Sequence, residues 1–220
     1  MSRSFAWTRW SGLAAVWGGV LGAAGSILAT AAYYNLDWNQ ADAPGWARAL
    51  QAPLARVLTF ADPAQVVQAY GRVFPLVFLL LLAGLLGLEA CCLERSQKTP
   101  RAGFRLVMIG LILMAFGSLA DYWTGPAGPF TPAAGSAAWL FSFVVGFEVG
   151  ALVYVVGAVL LGINALRGGW LPGWLAWWLL AAPLLGCILT VWGIRHIPGG
   201  FVLPVSLSWI GAGFVVWLKN

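Results

Sequence analysis

The chain has 220 residues, of which 61% are hydrophobic and 9% charged, and its formal net charge is +5. A soluble domain of this length fills its core with far less apolar sequence, so a mean hydropathy of +0.85 excludes a water-soluble globular domain and predicts a polytopic membrane protein. Fourteen tryptophans and a pI near 9.5 fit that class, because Trp collects at membrane interfaces and Lys/Arg in cytoplasmic loops; the basic balance reflects topology and implies no nucleic-acid partner.

In chain order, residues 1–10 form a short basic lead with Arg3 and Arg9, followed by a Gly/Ala-rich apolar run over 11–34. Ala29-Thr30-Ala31 would suit a signal peptidase, but the run is longer than a signal-peptide core, so it is read as the first span. Residues 35–72 make the only long loop. Within it, GWARALQAPLARVLTFA from Gly45 sets Trp46, Leu50, Leu54 and Leu58 on one side, the pattern of a helix lying in the membrane interface. Asp62-Pro63 supplies an N-cap followed by proline at the first helical position, which predicts a helix start leading into a second span over 73–93.

Arg95, Lys98, Arg101 and Arg105 then fall within a dozen residues, the densest positive charge in the chain. That segment is expected in the cytoplasm. A third span over 106–123 ends in Asp121-Tyr122-Trp123, and the Gly- and Pro-containing loop after it carries no charge. The fourth span covers 139–166, a tight turn 168–172, the fifth span 174–194 with Pro183 inside it, and the sixth 201–218. With this topology Arg3, Arg9, Arg95, Lys98, Arg101, Arg105, Arg167 and Lys219 lie on one side, against Arg48, Arg56, Arg72 and Arg195 on the other. The expectation is a single all-α membrane domain of six transmembrane helices plus an interfacial helix in the first external loop. It would reside in a bacterial inner membrane with both termini cytoplasmic.

The fourth span carries the chain's clearest intramembrane acid, Glu148. At about 100° per residue Gly146, Gly150, Val153 and Gly157 share one face, and Glu148, Ala151, Val155 and Val159 share nearly the opposite one. Glycines at that spacing allow close approach of another helix, and an ionised acid facing lipid costs a few kcal/mol. Both faces therefore call for protein neighbours, which makes this helix the expected centre of the bundle. Ser26 and Ser208, at similar depth by residue count, are candidate hydrogen-bond partners for Glu148. Asp121, Arg195 and His196 join them as ligand or coupling candidates, since the polar residues fall mostly in the outer half and could line a crevice there. The alternative for the hydroxyls is bonding back to their own helices. Glu148 itself is either a structural acid or a coupling group.

The run GALVYVVGAVLLGINALRGGWLPGWLAWWLL, a span ending in Ala-Leu-Arg, a glycine turn and Leu-Pro-x-Trp opening the next span, resembles a pattern in uncharacterised bacterial multi-pass integral membrane proteins. The resemblance implies a multi-pass fold over the last two fifths of the chain and carries no activity.

With one histidine, His196, no His-based metal site is available, and no metal or other cofactor is expected. Cys91 and Cys92 are adjacent and Cys187 lies in another span, so no disulfide framework is implied. Serine-hydrolase, zinc-protease and phosphate-loop motifs are missing, and no lysine lies inside a span. Two functions stay open. One is a non-catalytic accessory that binds membrane lipids, a membrane-protein partner or a second copy of itself. The other is a small proton-coupled transporter or sensor using Glu148.

Overall fold

The computed structural model describes residues 2–35, 63–95, 101–124, 140–191 and 200–218, together with 45, 49, 52–53, 56–62 and 137; at some helix ends only the backbone is described. The main elements are all helical, and no strand occurs among the described residues. They are α1 (Ser2–Asn35), α2 (Pro63–Arg95), α3 (Arg101–Thr124), α4, which is π-helical over Leu140–Val149 and α-helical over Gly150–Gly168, α5 (Gly173–Val191) and α6 (Val202–Leu218). Trp7–Ala32, Pro63–Cys92, Arg101–Leu119 and Val144–Gly168 are long and apolar enough to cross a bilayer, whereas the apolar stretches of α5 and α6, Gly173–Leu189 and Val202–Leu218, are shorter. The outer surface is apolar as well: Trp17, Leu79, Phe116, Leu152, Ile188 and Phe214 are all exposed. A surface of that kind is stable against lipid and a liability in water. The protein is a helical membrane protein.

Local chemistry accounts for two helix boundaries. Asp62 Oδ1 accepts a 3.0 Å hydrogen bond from the Gln65 N–H, which caps α2 with Pro63 at the first position, where a missing N–H is harmless. At the end of α4, Gly169 sits at φ 61° and donates its N–H to Ala165 O at 2.9 Å. A residue without Cβ takes that left-handed conformation without strain. The Pro172 carbonyl then accepts the N–H groups of Leu175 and Ala176, each at 3.0 Å, and so starts α5. The interfacial helix expected over 45–61 is only partly covered. Gly45, Ala49, Ala52, Pro53, Arg56 and Val57 are helical, while Trp46, Leu50 and Leu54 lie outside the described residues.

Each helix packs on the next in the chain, and α6 packs on both α2 and α1. Helices α2 to α6 thus close a ring of five, and α1 lies outside it in the groove between α2 and α6. The ring is filled by Phe78, Leu81, Leu85, Phe104, Leu111, Met114, Tyr154, Leu161, Leu175 and Trp209, all essentially inaccessible. The expectation that the fourth span is the hub is overturned. Among the described residues α4 packs along its length on α3 and α5, while α2 and α6 each pack on three helices, and the helix with the most extensive contacts in all is α1, against α2 and α6.

The reason lies in the small residues of α1. Ser11, Ala15, Gly18, Gly22 and Gly25, spaced 4-3-4-3, meet Gly87, Gly84, Leu81, Val77 and Tyr70 of α2, while Gly12 and Gly19 meet Gly213 and Ile210 of α6. A Cβ at Gly12 would stand 2.9 Å from Gly213 O, and one at Gly213 2.6 Å from Gly12 O, so backbone lies on backbone. Without a hydrophobic drive between helices in lipid, this close contact holds α1 in place. The α3–α4 pair uses the same device along its whole length. Gly103 meets Leu161, Gly110 meets Tyr154, Met114 meets Gly150, and Gly117 meets Gly146. These pairings are antiparallel. They put the start of α1, the end of α2, the start of α3, the end of α4 and the end of α6 at one end of the bundle, with Arg9, Arg101, Arg105 and Arg167 exposed there.

Candidate functional site

Glu148 belongs to the π-helical part of α4. The glycine face expected from the sequence is present and turned to α3: Gly146 sits on Gly117, Gly150 on Leu113 and Met114, and Gly157 on Leu106 and Val107. The opposite face is not uniform. Val155 is buried and Ala151 half-buried against the core, whereas Glu148 is exposed, in company with Val145, Val149, Leu152 and Val156. Glu148 therefore does not lie between helices. Two physical reasons account for the difference. A ring member with two neighbours leaves part of its circumference outside, and the wider π turn departs from the 100° spacing on which the expectation was built.

Ser26 and Ser208 are buried, and neither approaches Glu148. Ser26 Oγ donates to Gly22 O at 2.8 Å and Ser208 Oγ to Val205 O at 2.6 Å, each within its own helix. Thr30 and Ser118 do the same, to Ser26 O and Met114 O at 2.7 Å. Such back-bonding satisfies a hydroxyl in a dry environment without a ligand. Asp121 falls in the last turn of α3, where only the backbone is described, and Arg195 and His196 lie outside the described residues. Among the described residues, the structure does not gather the polar set into a common crevice.

One polar contact that crosses the bundle is not singled out by the sequence. Trp209 Nε1–H of α6 donates to the Tyr154 hydroxyl of α4 at 2.7 Å, and the Tyr154 ring meets Phe201 edge-on at 5.9 Å between centroids. A signal was present. Trp and Tyr gather at interfaces, so one of each in mid-span invites the question of which partner satisfies its polar tip. Trp170, in the turn after α4, is buried as well, its ring 6.3 Å from Phe104, which shuts the basic end of the ring. Ser206 Oγ is the one buried side-chain oxygen without a hydrogen bond among the described residues; it lies against Gly22 where α6 crosses α1.

At the basic end, the Arg9 guanidinium lies 5.8 Å from the centre of the Trp217 ring, tying α1 to α6 by a cation–π contact. No group of three or more His, Cys, Asp or Glu is placed to hold a metal ion among the described residues. Among the described residues, exposed charge on the perimeter includes an acid, Glu148, on the outer face of α4 and the basic side chains at one end. No family model matches the chain, and neither a curated protein nor a solved structure matches it.

Proposed function

We propose that this protein is a non-catalytic component of a bacterial-type inner membrane that works by lateral contact with a partner protein or lipids. All six helices cross the bilayer, the Arg9/Arg101/Arg105/Arg167 end and both termini face the cytoplasm, and the segment around 45–61 lies in the opposite interface. The observation that carries the reading is the position of Glu148. A coupling acid has to sit on a path through the protein, and this carboxyl stands on the outside of the ring, while the ring itself is filled with large apolar side chains. The orientation draws on the excess of basic residues at the end shared by α1, α3, α4 and α6.

The test is extraction of the tagged full chain with its surrounding bilayer in polymer discs, followed by native mass measurement. A companion protein at constant stoichiometry, or a constant number of retained lipids, is the expected result. The competing transporter reading would prevail if proteoliposomes containing the purified chain alone carried a proton flux that Glu148→Gln abolished.

A further inference from the structure

Every helix of the bundle shows apolar side chains to the outside, as a membrane protein must. The wall made by α2, α3 and α4 differs from the rest in carrying charge. Away from the basic end, Arg72 of α2 and Glu148 of α4 are the exposed charged side chains within the candidate spans, among the described residues. They have opposite signs and stand on either side of α3. Helices α2 and α4 both pack on α3 and make no contact with each other among the described residues. The Arg72 guanidinium has five N–H donors, so a bond within its own chain leaves donors for a carboxylate arriving from outside.

The two charges also lie at one level of the bundle. Gly22 of α1 meets both Val77 of α2 and Ser206 of α6, so those two residues are level. The Tyr154 side chain lies between Trp209, to which it is hydrogen-bonded, and Phe201, which it meets edge-on, and the middle of that interval of α6 is next to Ser206. Tyr154 is therefore level with Val77 to within about one helical turn, roughly 5 Å. Helices α2 and α4 run in the same direction, so Glu148, six residues before Tyr154, is level with position 71, and Arg72 is its neighbour. This match is internal to the fold and independent of where the membrane boundary falls. Apolar seams continue from each charge toward the basic end. Arg72, Leu76, Leu79, Ala83 and Leu86 follow one another at 4-3-4-3 spacing on the outer face of α2, all exposed except the half-buried Ala83. On α4 the exposed Val145, Val149, Leu152 and Val156 do so at 4-3-4. Between them α3 exposes Ile109, Phe116 and Leu119. Spacing of this kind lets parallel helices interlock along a seam.

We propose that the outer wall of α2, α3 and α4 is the interface of a two-fold symmetric dimer, in which Glu148 of each copy pairs with Arg72 of the other. Two copies inserted the same way round are related by an axis along the membrane normal. Such an axis beside α3 sets α4 of one copy against α2 of the other at an unchanged level, and α3 against α3. The interface is self-complementary and closed. Each charge then meets its opposite, twice over, whereas a foreign helix that answers one charge leaves the other unanswered. Arg101 and Arg105 are the like charges on this wall; they belong to the first two turns of α3, where long side chains can extend past the helix end. The inference goes beyond the lateral-contact reading above and does not depend on it.

The test uses the full chain in phosphatidylcholine vesicles, labelled with donor or acceptor fluorophores, so that energy transfer on dilution with lipid gives the dimer affinity. Glu148→Arg and Arg72→Glu are prepared as separate chains. Either variant alone sets like charge against like at both contacts and should self-associate at least about tenfold more weakly than wild type. An equimolar mixture restores opposite charge at both contacts, in the mixed dimer only, and should associate to within about threefold of wild type. A pair formed inside one chain, or a charge held by a lipid headgroup, predicts no such rescue. Helix content and thermal unfolding report the folding of each chain. Should Arg72→Glu fail to fold, Arg72→Gln replaces it, and its association with Glu148→Arg is expected to be tighter than that of Glu148→Arg with itself. Wild-type chains that stay monomeric, variants that associate as tightly as wild type, or folded variants whose mixture is no tighter than either alone each overturn the proposal. A monomeric wild-type chain that holds a companion protein or lipid released by Glu148→Leu overturns it too, and assigns the face to that companion or lipid. A dimer in polymer discs with no retained companion or lipid refutes the functional reading alone, whereas a companion retained by a monomeric chain refutes this interface alone.

Discussion

Gly157 shows how narrow the tolerance is at a helix crossing. A Cβ there would stand 2.5 Å from the Val107 backbone nitrogen and 2.8 Å from Leu106 Cβ, and backbone cannot give way as a flexible side-chain end can. Gly157→Ala is therefore expected to cost about 1–3 kcal/mol by overpacking. Gly173→Ala, where nothing lies within 4 Å, should stay within about 0.5 kcal/mol of wild type. Thermal unfolding in detergent compares the two, and equal losses would show that the α3–α4 contact is looser than described. Gly150 is the milder case on the same face, its nearest neighbours being Leu113 Cβ and Met114 Cγ at 3.1 Å. The Tyr154–Trp209 hydrogen bond allows a second residue-scale prediction. Tyr154→Phe strands the buried Trp209 N–H and should lose about 1–3 kcal/mol. Adding Trp209→Phe should recover part of that, because the unpartnered donor is then gone, and a double-mutant cycle with no coupling would refute the bond.

At the scale of elements, the position of α1 outside the ring of five is the informative fact. Its small faces cover α2 and α6 while Trp7, Trp10, Trp17 and Val20 stay exposed. A helix attached in this manner should associate in trans. Co-expression of residues 1–60 and 61–220 as two chains is expected to give a complex that survives purification, and Gly19→Leu in the shorter chain to abolish it. The second outcome follows because a Cβ at Gly19 already lies 2.6 Å from Ser206 O. Fragments that assemble equally well with leucine would place the close contact elsewhere. The two parts of α4 also behave differently. The α-helical part, Gly150–Gly168, runs to a capped end, whereas the π-helical part, Leu140–Val149, carries the acid; π segments cluster at functional positions because they reposition side chains without ending the helix.

For the whole molecule, the antiparallel ladders make topology a single variable. If the start of α1 lies in the cytoplasm, so do the ends of α2, α4 and α6, and the Arg95 and Arg101 ends of α2 and α3 lie at the opposite end of the bundle from Thr124 and Leu140. Cysteines introduced at Gln97 and Ala127 are expected to react from opposite sides of intact vesicles. Labelling of both from one side would defeat the six-span arrangement, including the crossing by α5 and α6, whose apolar stretches are the shorter ones. Helix α6 packs along α1 from Gly12 to Gly22, beside a helix that is itself long enough to span.

Features that depend on neighbours in the chain could be read from the residues alone. Asp62-Pro63 starts a helix because the cap and the missing N–H act within one turn. Gly168 to Pro172 ends one because Gly169 accepts a positive φ, and Gly146, Gly150 and Gly157 share a face because helical periodicity requires it. The membrane class followed from composition in the same way. Which element each face meets was decided only in three dimensions. The wheel that aligned Glu148 with Ala151 and Val155 could not tell a buried face from an outer one, since that depends on how many helices surround α4, and the answer is two. The Gly/Ala run of α1 reads as a plain apolar span until its two small faces are seen against α2 and α6. Tyr154 and Trp209 are 55 residues apart in sequence, and their hydrogen bond exists because ring closure brings α4 and α6 to face one another across the core. Local rules act over a turn of helix, whereas burial is a property of the closed ring, and the exposure of Glu148 belongs to the second kind.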